Sequence, residues 1–238
     1  MISTFANPQR FMSVSDWILP FATMLACLCL VVGLTWGFVF SPEDAVQHQS
    51  VRIMYVHVPA VVWGMGIFSF MAVCSLISFV WRHVLADVAA RCAAPIGACY
   101  TGLGLATGSL WGAPTWGTWW VWDARLTSFL ILFLTYLGYM ALRAAIEDEQ
   151  KAARLAAILC LAGAINLPIV HYSVEWWSTL HQPSSVFKPG GPAIHPMMLR
   201  PLALCAAGYG LAFVALLLGA MRTEIYRRRA ESLARAST

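Results

Sequence analysis

Histidine and tryptophan are the residue types in this sequence with chemistry to offer. Five of the six histidines (48, 57, 171, 181 and 195) fall in or beside three loops that share one side of the long apolar segments, and only His83 lies on the other. Five of the eleven tryptophans (Trp111, Trp116, Trp119, Trp120 and Trp122) crowd into the stretch Trp111-Gly-Ala-Pro-Thr-Trp-Gly-Thr-Trp-Trp-Val-Trp-Asp123. Neutral imidazole is the commonest nitrogen ligand for iron, and two imidazoles on opposite faces of a porphyrin make a six-coordinate haem. Indole is flat, broad and amphipathic. A dense indole cluster is therefore either a shelf for a large flat ligand or a heavy interfacial anchor.

The spacing narrows the candidates. His57 sits in Tyr55-Val-His-Val-Pro59, where a first-turn proline places it at the mouth of a helix. His181 ends Glu175-Trp-Trp-Ser-Thr-Leu-His181, beside a second aromatic cluster. Each histidine can equally be a lone interfacial polar residue, and the residues alone leave both readings open. His48 and His195 read as solvated, and His171 can pair with Glu175 one turn later. Trp116, Trp119 and Trp120 have the i, i+3, i+4 spacing that gathers side chains on one face of a short surface helix. Gly112 and Gly117 leave room for a ligand near the backbone. Asp123 is placed to cap the next helix, with or without a role at the site. Arg52 and Arg125 are the cations placed to pair with porphyrin propionates, or equally with lipid phosphate.

The elements that position these residues are membrane helices. Sixty per cent of the 238 residues are hydrophobic and 11% are charged, which excludes an ordinary soluble domain. Six segments approach or exceed the apolar length needed to cross a bilayer: 17–40, 60–81, 95–110, 126–142, 155–170 and 199–221. Backbone in lipid must satisfy its own hydrogen bonds, so the expected fold is all-α, a single membrane domain over 1–238 with six transmembrane helices. With the N-terminus in the cytoplasm, eleven of the fifteen Lys and Arg residues fall inside. Arg52, Arg125, Lys188 and Arg200 fall outside, so both termini are expected to be cytoplasmic. The net charge of +4 follows from this bias and not from a nucleic-acid surface. The basic run Arg227-Arg-Arg229 is expected to touch anionic headgroups.

The external loops, 41–59, 111–125 and 171–198, are the longer ones. The connections 82–94 and 143–154 are short, and the second reads as a solvated helix extension. The first apolar segment is longer than a secretory core and lacks a small-x-small cleavage site. Six of the seven cysteines lie in apolar segments with no C-x-x-C, which argues against redox or covalent haem chemistry. Gly102-Leu-Gly-Leu-Ala-Thr-Gly108 mimics a dinucleotide loop but sits in a membrane segment, where Gly104 and Gly108 suit close helix packing. Asn166 and Pro168 mark a helix bend. Hydrolytic motifs and a Walker A loop are absent from the sequence.

At these residues the chain resembles the haem exporter protein C family, also called cytochrome c maturation protein C. The likeness covers nearly the whole chain and rests on WGAPTWGTWWVWDARLTS at Trp111–Ser128, YVHVPA at Tyr55–Ala60 and EWWSTLHQ at Glu175–Gln182. Longer relatives in the wider haem-handling superfamily typically follow the aspartate with Pro-Lys-Glu, where this chain has Ala124-Arg-Leu. The resemblance implies a bacterial inner-membrane protein whose tryptophan loop faces the periplasm. It implies non-covalent haem b held by His57 and His181 as axial ligands. It also implies transfer of that haem to a membrane-anchored haem chaperone, in a complex with an ATP-binding cassette transporter pair and a small single-span subunit. A membrane electron-transfer cytochrome of the b type would instead place histidine pairs inside the helices. A small-molecule or haem transporter would want polar residues near mid-membrane.

Overall fold

The computed structural model describes residues 7–181, 186 and 190–236. Gln182, Pro183, Lys188 and Pro189, which the sequence reading places in the third external loop, lie outside them. Helix α1 (Pro8–Thr35) starts where the Asn7 side chain accepts from Gln9 N–H, and its last turn widens into a π-helical stretch, Trp36–Phe40. A 3-10 turn, Gln49–Ile53, leads into α2 (Met54–Trp81). Arg82, in the left-handed region, ends α2. The His83 ring then caps α3 (Val84–Trp116) by accepting from Ala86 N–H. Helix α4 (Ala124–Ala145) starts from Asp123, α5 (Glu149–Ala164) from Asp148, and α6 (Asn166–Trp176) follows after the single residue Ile165. Helix α7 (Pro196–Ala236) closes the chain. There is no β-strand among the described residues.

This is a polytopic helical membrane protein. The helical stretches Pro8–Phe40, Gln49–Trp81, Ala124–Ala145, Glu149–Trp176 and Pro196–Arg235 are long and apolar enough to cross a bilayer. Helix α3 is longer than most but rich in small and weakly polar residues. It can be so because it packs against α2, α4 and α7 rather than lipid. The outer face of α1 shows the opposite pattern, with Trp17, Phe21, Met24, Leu28 and Val31 all exposed, as suits a surface solvated by acyl chains.

Several boundaries differ from the sequence reading. Helix α3 begins at Val84, so residues 84–94 are not a connection. Their alanines (Ala86, Ala89, Ala90, Ala93 and Ala94) are buried in the core, and the link is only Arg82–His83. The segment 143–154 is not one extended helix. It breaks at Ile146–Asp148, where Asp148 accepts from the amides of Gln150 and Lys151 and restarts the chain as α5. The bend expected at Asn166 and Pro168 is present as the break between α5 and α6. There Asn166 Nδ2 donates to Ser128 O at 2.8 Å.

The core joins α2, α3, α4 and α5 around Ile67, Phe68, Met71, Leu132 and Tyr136, none of which has exposed surface. Tyr136 donates its hydroxyl to Gly64 O at 2.8 Å, and its ring fills the place a Cβ on Gly97 would take. At the end of the bundle carrying both termini, Arg143 pairs with Asp87 through two nitrogens at 2.7 and 3.1 Å. Glu224 accepts from Arg91, Arg227 and Arg228 there. Of the basic run, Arg227 and Arg228 pair with carboxylates of the bundle, because α7 brings them beside Glu224 and Glu149, and Arg229 is exposed.

Candidate functional site

At the opposite end of the bundle, the π-helical end of α1, the start of α2, the end of α3, the start of α4 and the chain after α6 come together. The site is built on two of these helix starts. His57 lies in the first turn of α2, which begins five residues before Pro59 because the 3-10 turn feeds directly into it. The His57 ring crosses to α3, where Nδ1 is 3.0 Å from Gly104 O and 3.2 Å from Thr107 Oγ1. The Thr107 hydroxyl already donates to Leu103 O at 2.6 Å, so both groups facing Nδ1 are acceptors. The proton is thereby fixed on Nδ1, and Nε2 carries the lone pair.

His181 arrives from the other direction and is oriented in the same way. Asp123 uses one carboxylate oxygen to cap α4, accepting from Leu126 N–H at 2.8 Å. Its other oxygen is 3.4 Å from His181 Nδ1. A carboxylate can only accept, so His181 also keeps its proton on Nδ1 and leaves Nε2 bare. Burial, with the Arg125 charge adding to it, pushes the His181 pKa below the ordinary imidazole value against the opposing pull of Asp123, which favours the neutral ring. The remaining histidines are spent otherwise. The Nδ1 atoms of His83 and His195 accept from helix-start amides, His171 packs edge-on against Tyr172, and His48 is exposed. No hydrogen bond joins His171 to Glu175 among the described residues.

Both candidate imidazoles touch the tryptophan cluster. Trp111 packs edge-on against His57 at 5.7 Å between centroids, and Trp116 against His181 at 4.7 Å. The expected surface helix carrying Trp116, Trp119 and Trp120 is absent. Helix α3 runs on to Trp116 and stops at Gly117, whose φ of 75° reverses the chain. A turn follows in which Trp120 N–H donates to Thr118 Oγ1 while that hydroxyl donates to Trp120 O. The indoles therefore fan outward. Trp119 and Trp122 are 61% and 74% exposed, whereas Trp120 is half-buried against Trp122 with its Nε1–H inside and without a partner among the described residues. Gly117 faces open space, whereas the space beside Gly112 is filled by the Trp116 ring and Thr118 O.

The two arginines differ. Arg52 donates to the carbonyls of Phe38 and Ser41, tying down the frayed end of α1, with its Nε–H buried and unpaired. Arg125 is half-buried at the start of α4, where its carbonyl accepts from the Ser128 hydroxyl, and its guanidinium makes no hydrogen bond or ion pair with the described residues. It lies near enough to His57 and His181 for its charge to bear on both. Two bare imidazole nitrogens, an unspent guanidinium, an orphaned indole N–H and exposed flat rings suit a planar, anionic, iron-bearing ligand. Sequence reasoning missed Thr107, Gln47 and the carbonyl of Gly104 as partners in the site. Gln47 Oε1 accepts from Trp111 Nε1 at 2.9 Å and so ties the first external loop to the cluster.

The chain matches the family described as Heme exporter protein C over residues 1–236. It is 52% identical over 228 residues to a Heme exporter protein C from Bradyrhizobium diazoefficiens, covering 96% of this chain and 86% of that one. It is 47% identical over 220 residues to that of Escherichia coli K12, covering 92% and 89%. With that of Paracoccus denitrificans it shares 47% over 230 residues, covering 96% and 95%. With likeness running through nearly the full length of each, and through the helices that build the site, this chain belongs to the Heme exporter protein C family.

Proposed function

We propose that this protein binds haem b non-covalently between His57 and His181 at the periplasmic surface of the bacterial inner membrane, and presents it for cytochrome c maturation. The observation that carries the reading is that both imidazoles are held by acceptors at Nδ1, leaving both Nε2 atoms free at one end of the bundle. The names of the relatives, Heme exporter protein C, supply the class of cargo. Arg125 is the propionate partner in this reading, with the Trp120 indole N–H a second donor. Arg52 shapes the loop, and only its Nε–H is left to contribute. Trp111 and Trp116 brace the ligands, while Trp119 and Trp122 form the outer shelf against which the macrocycle rests.

The physical role is presentation. Two neutral imidazoles bind iron firmly without adding charge, and ligands hung on separate elements, a helix start and a loop, can part without unfolding the bundle. The recipient in this reading is a membrane-anchored haem chaperone. An ATP-binding cassette pair supplies the energy for release, and a small single-span subunit completes the complex.

The test is spectroscopic. The protein is purified from haem-replete cells, and oxidised and reduced spectra are recorded beside His57→Ala and His181→Ala. The expected result is a six-coordinate low-spin haem in the wild type that each substitution converts or abolishes. Wild-type protein without stoichiometric haem, even with the chaperone co-expressed, would reduce the tryptophan cluster to an anchor. An unchanged spectrum in both variants would keep the haem and reject these ligands.

A further inference from the structure

We infer that Gly108 and Thr107, on α3, are positioning residues for His57: Gly108 by leaving the space its ring occupies, and Thr107 by sharing its Nδ1 proton with Gly104 O. The inference rests on the reading of His57 as an iron ligand. A Cβ built on Gly108 would come within 2.9 Å of His57 Cε1 and 3.4 Å of Nδ1. The Cε1 atom lies between the two ring nitrogens, so this is the contact that decides where Nε2 points. One turn earlier, Gly104 plays the packing part expected of both glycines, with Val61 and Phe129 at 3.0 and 3.1 Å from the place of its absent Cβ. The two glycines therefore divide the work. Gly104 lets the helices approach, and Gly108 admits the imidazole.

Thr107 completes the seat. Its hydroxyl hydrogen is directed to Leu103 O, which leaves an oxygen lone pair toward Nδ1 at 3.2 Å. With Gly104 O at 3.0 Å the ring is held from one edge by two acceptors on one helix turn. A methyl group at position 108 would meet a terminal ring and not backbone. The fold can absorb it by swinging His57, and that swing breaks the Nδ1 contacts and tips Nε2 away. Partners that orient a metal-ligating histidine typically change affinity by about 10–100-fold when removed.

The experiment uses the full chain purified with haem and compares Gly108→Ala, Thr107→Val, Thr107→Ser and His57→Ala. Gly138→Ala serves as a control whose added methyl meets only Leu159 at 3.7 Å. Haem dissociation is followed by transfer to apomyoglobin, and ligation by the low-spin electron paramagnetic resonance signal. Gly108→Ala and Thr107→Val should release haem at least about tenfold faster and alter the low-spin signal, with Thr107→Ser close to wild type. Should His57→Ala lose the signal while Gly108→Ala and Thr107→Val behave like Gly138→Ala, the positioning role is wrong and the ligand assignment stands. Should His57→Ala leave the signal intact, the ligand assignment fails and takes the positioning role with it. If Gly108→Ala does not accumulate, the contrast between Thr107→Val and Thr107→Ser decides.

Discussion

At the scale of single residues, protonation state and hydrogen-bond direction decide what the site can do. His181 is half-buried against Trp116, and both that burial and the Arg125 charge disfavour its protonated form. Its pKa is lowered in the fold, so protons work against the folded site only once the pH drops below the ordinary imidazole value of 6.5. The low-spin haem spectrum is therefore expected to hold while the pH falls through that value and to fail only below it. A midpoint at or above it, read by spectrophotometric titration, would contradict the burial argument. Arg125 carries a second expectation. Its guanidinium has no partner among the described residues, so Arg125→Gln should weaken haem retention by about tenfold, as loss of a charged hydrogen bond does, without changing axial ligation. Competition with apomyoglobin measures the first part and the low-spin signal the second. The sequence already points to His57, His181 and the Asp123 cap, because a helix start and an aromatic cluster are local features. It does not reveal Thr107 or Gly108. Which face of α3 meets His57 is fixed by how two helices cross, and nothing local in Gly104-Leu-Ala-Thr-Gly108 distinguishes a packing glycine from one that seats a ring.

At the scale of elements, the fit between α2, α3 and α4 holds the site at its proper spacing. Tyr136 has no exposed surface and reaches Gly64 O across the space that Gly97 leaves vacant. A Cβ at position 97 would fall 2.2 Å from the Tyr136 hydroxyl oxygen, and that ring is also pinned edge-on by Phe68 at 5.0 Å. Gly97→Ala should therefore cost about 1–3 kcal/mol, seen as a lower melting temperature in detergent. An unchanged melt would mean that the contact relaxes freely. The helical membrane architecture follows from composition and apolar length, and five of the six expected spans are long and apolar enough to cross. The helix ends do not follow from them. Helix α3 gains its first third from alanines that read as a loop until α2, α4 and α7 cover them. It also gains six residues of the tryptophan motif, because the chain reverses at Gly117 and not at Trp111. The break at Ile146–Asp148 is likewise set by an aspartate cap that a run of mixed charge conceals.

At the scale of the whole molecule, the two ends carry different loads. The end with the termini is locked by Arg143 and Asp87, whose side chains are only 6% and 14% exposed, and by Glu224 gathering Arg91, Arg227 and Arg228 from α3 and α7. The histidine end has the opposite character, with loosely covered indoles, a reversed turn and an unpaired cation. A helix that crosses a bilayer separates the two by roughly 30 Å, too far for a direct contact between clamp and site. Truncating one partner of a buried pair strands the other charge at a cost of about 3–5 kcal/mol. Arg143→Ala, which leaves Asp87 with only Arg228 at 3.8 Å, should lower the melting temperature more than any substitution at the histidine end, yet leave the haem spectrum and the rate of haem loss as in wild type. His57→Ala should show the reverse, a spectrum transformed and a melt of apoprotein scarcely moved. If Arg143→Ala altered the low-spin signal, the helices would be transmitting strain from one end to the other. The bundle would then be a coupled device and not a rigid mount that keeps its stability at one end and its chemistry at the other.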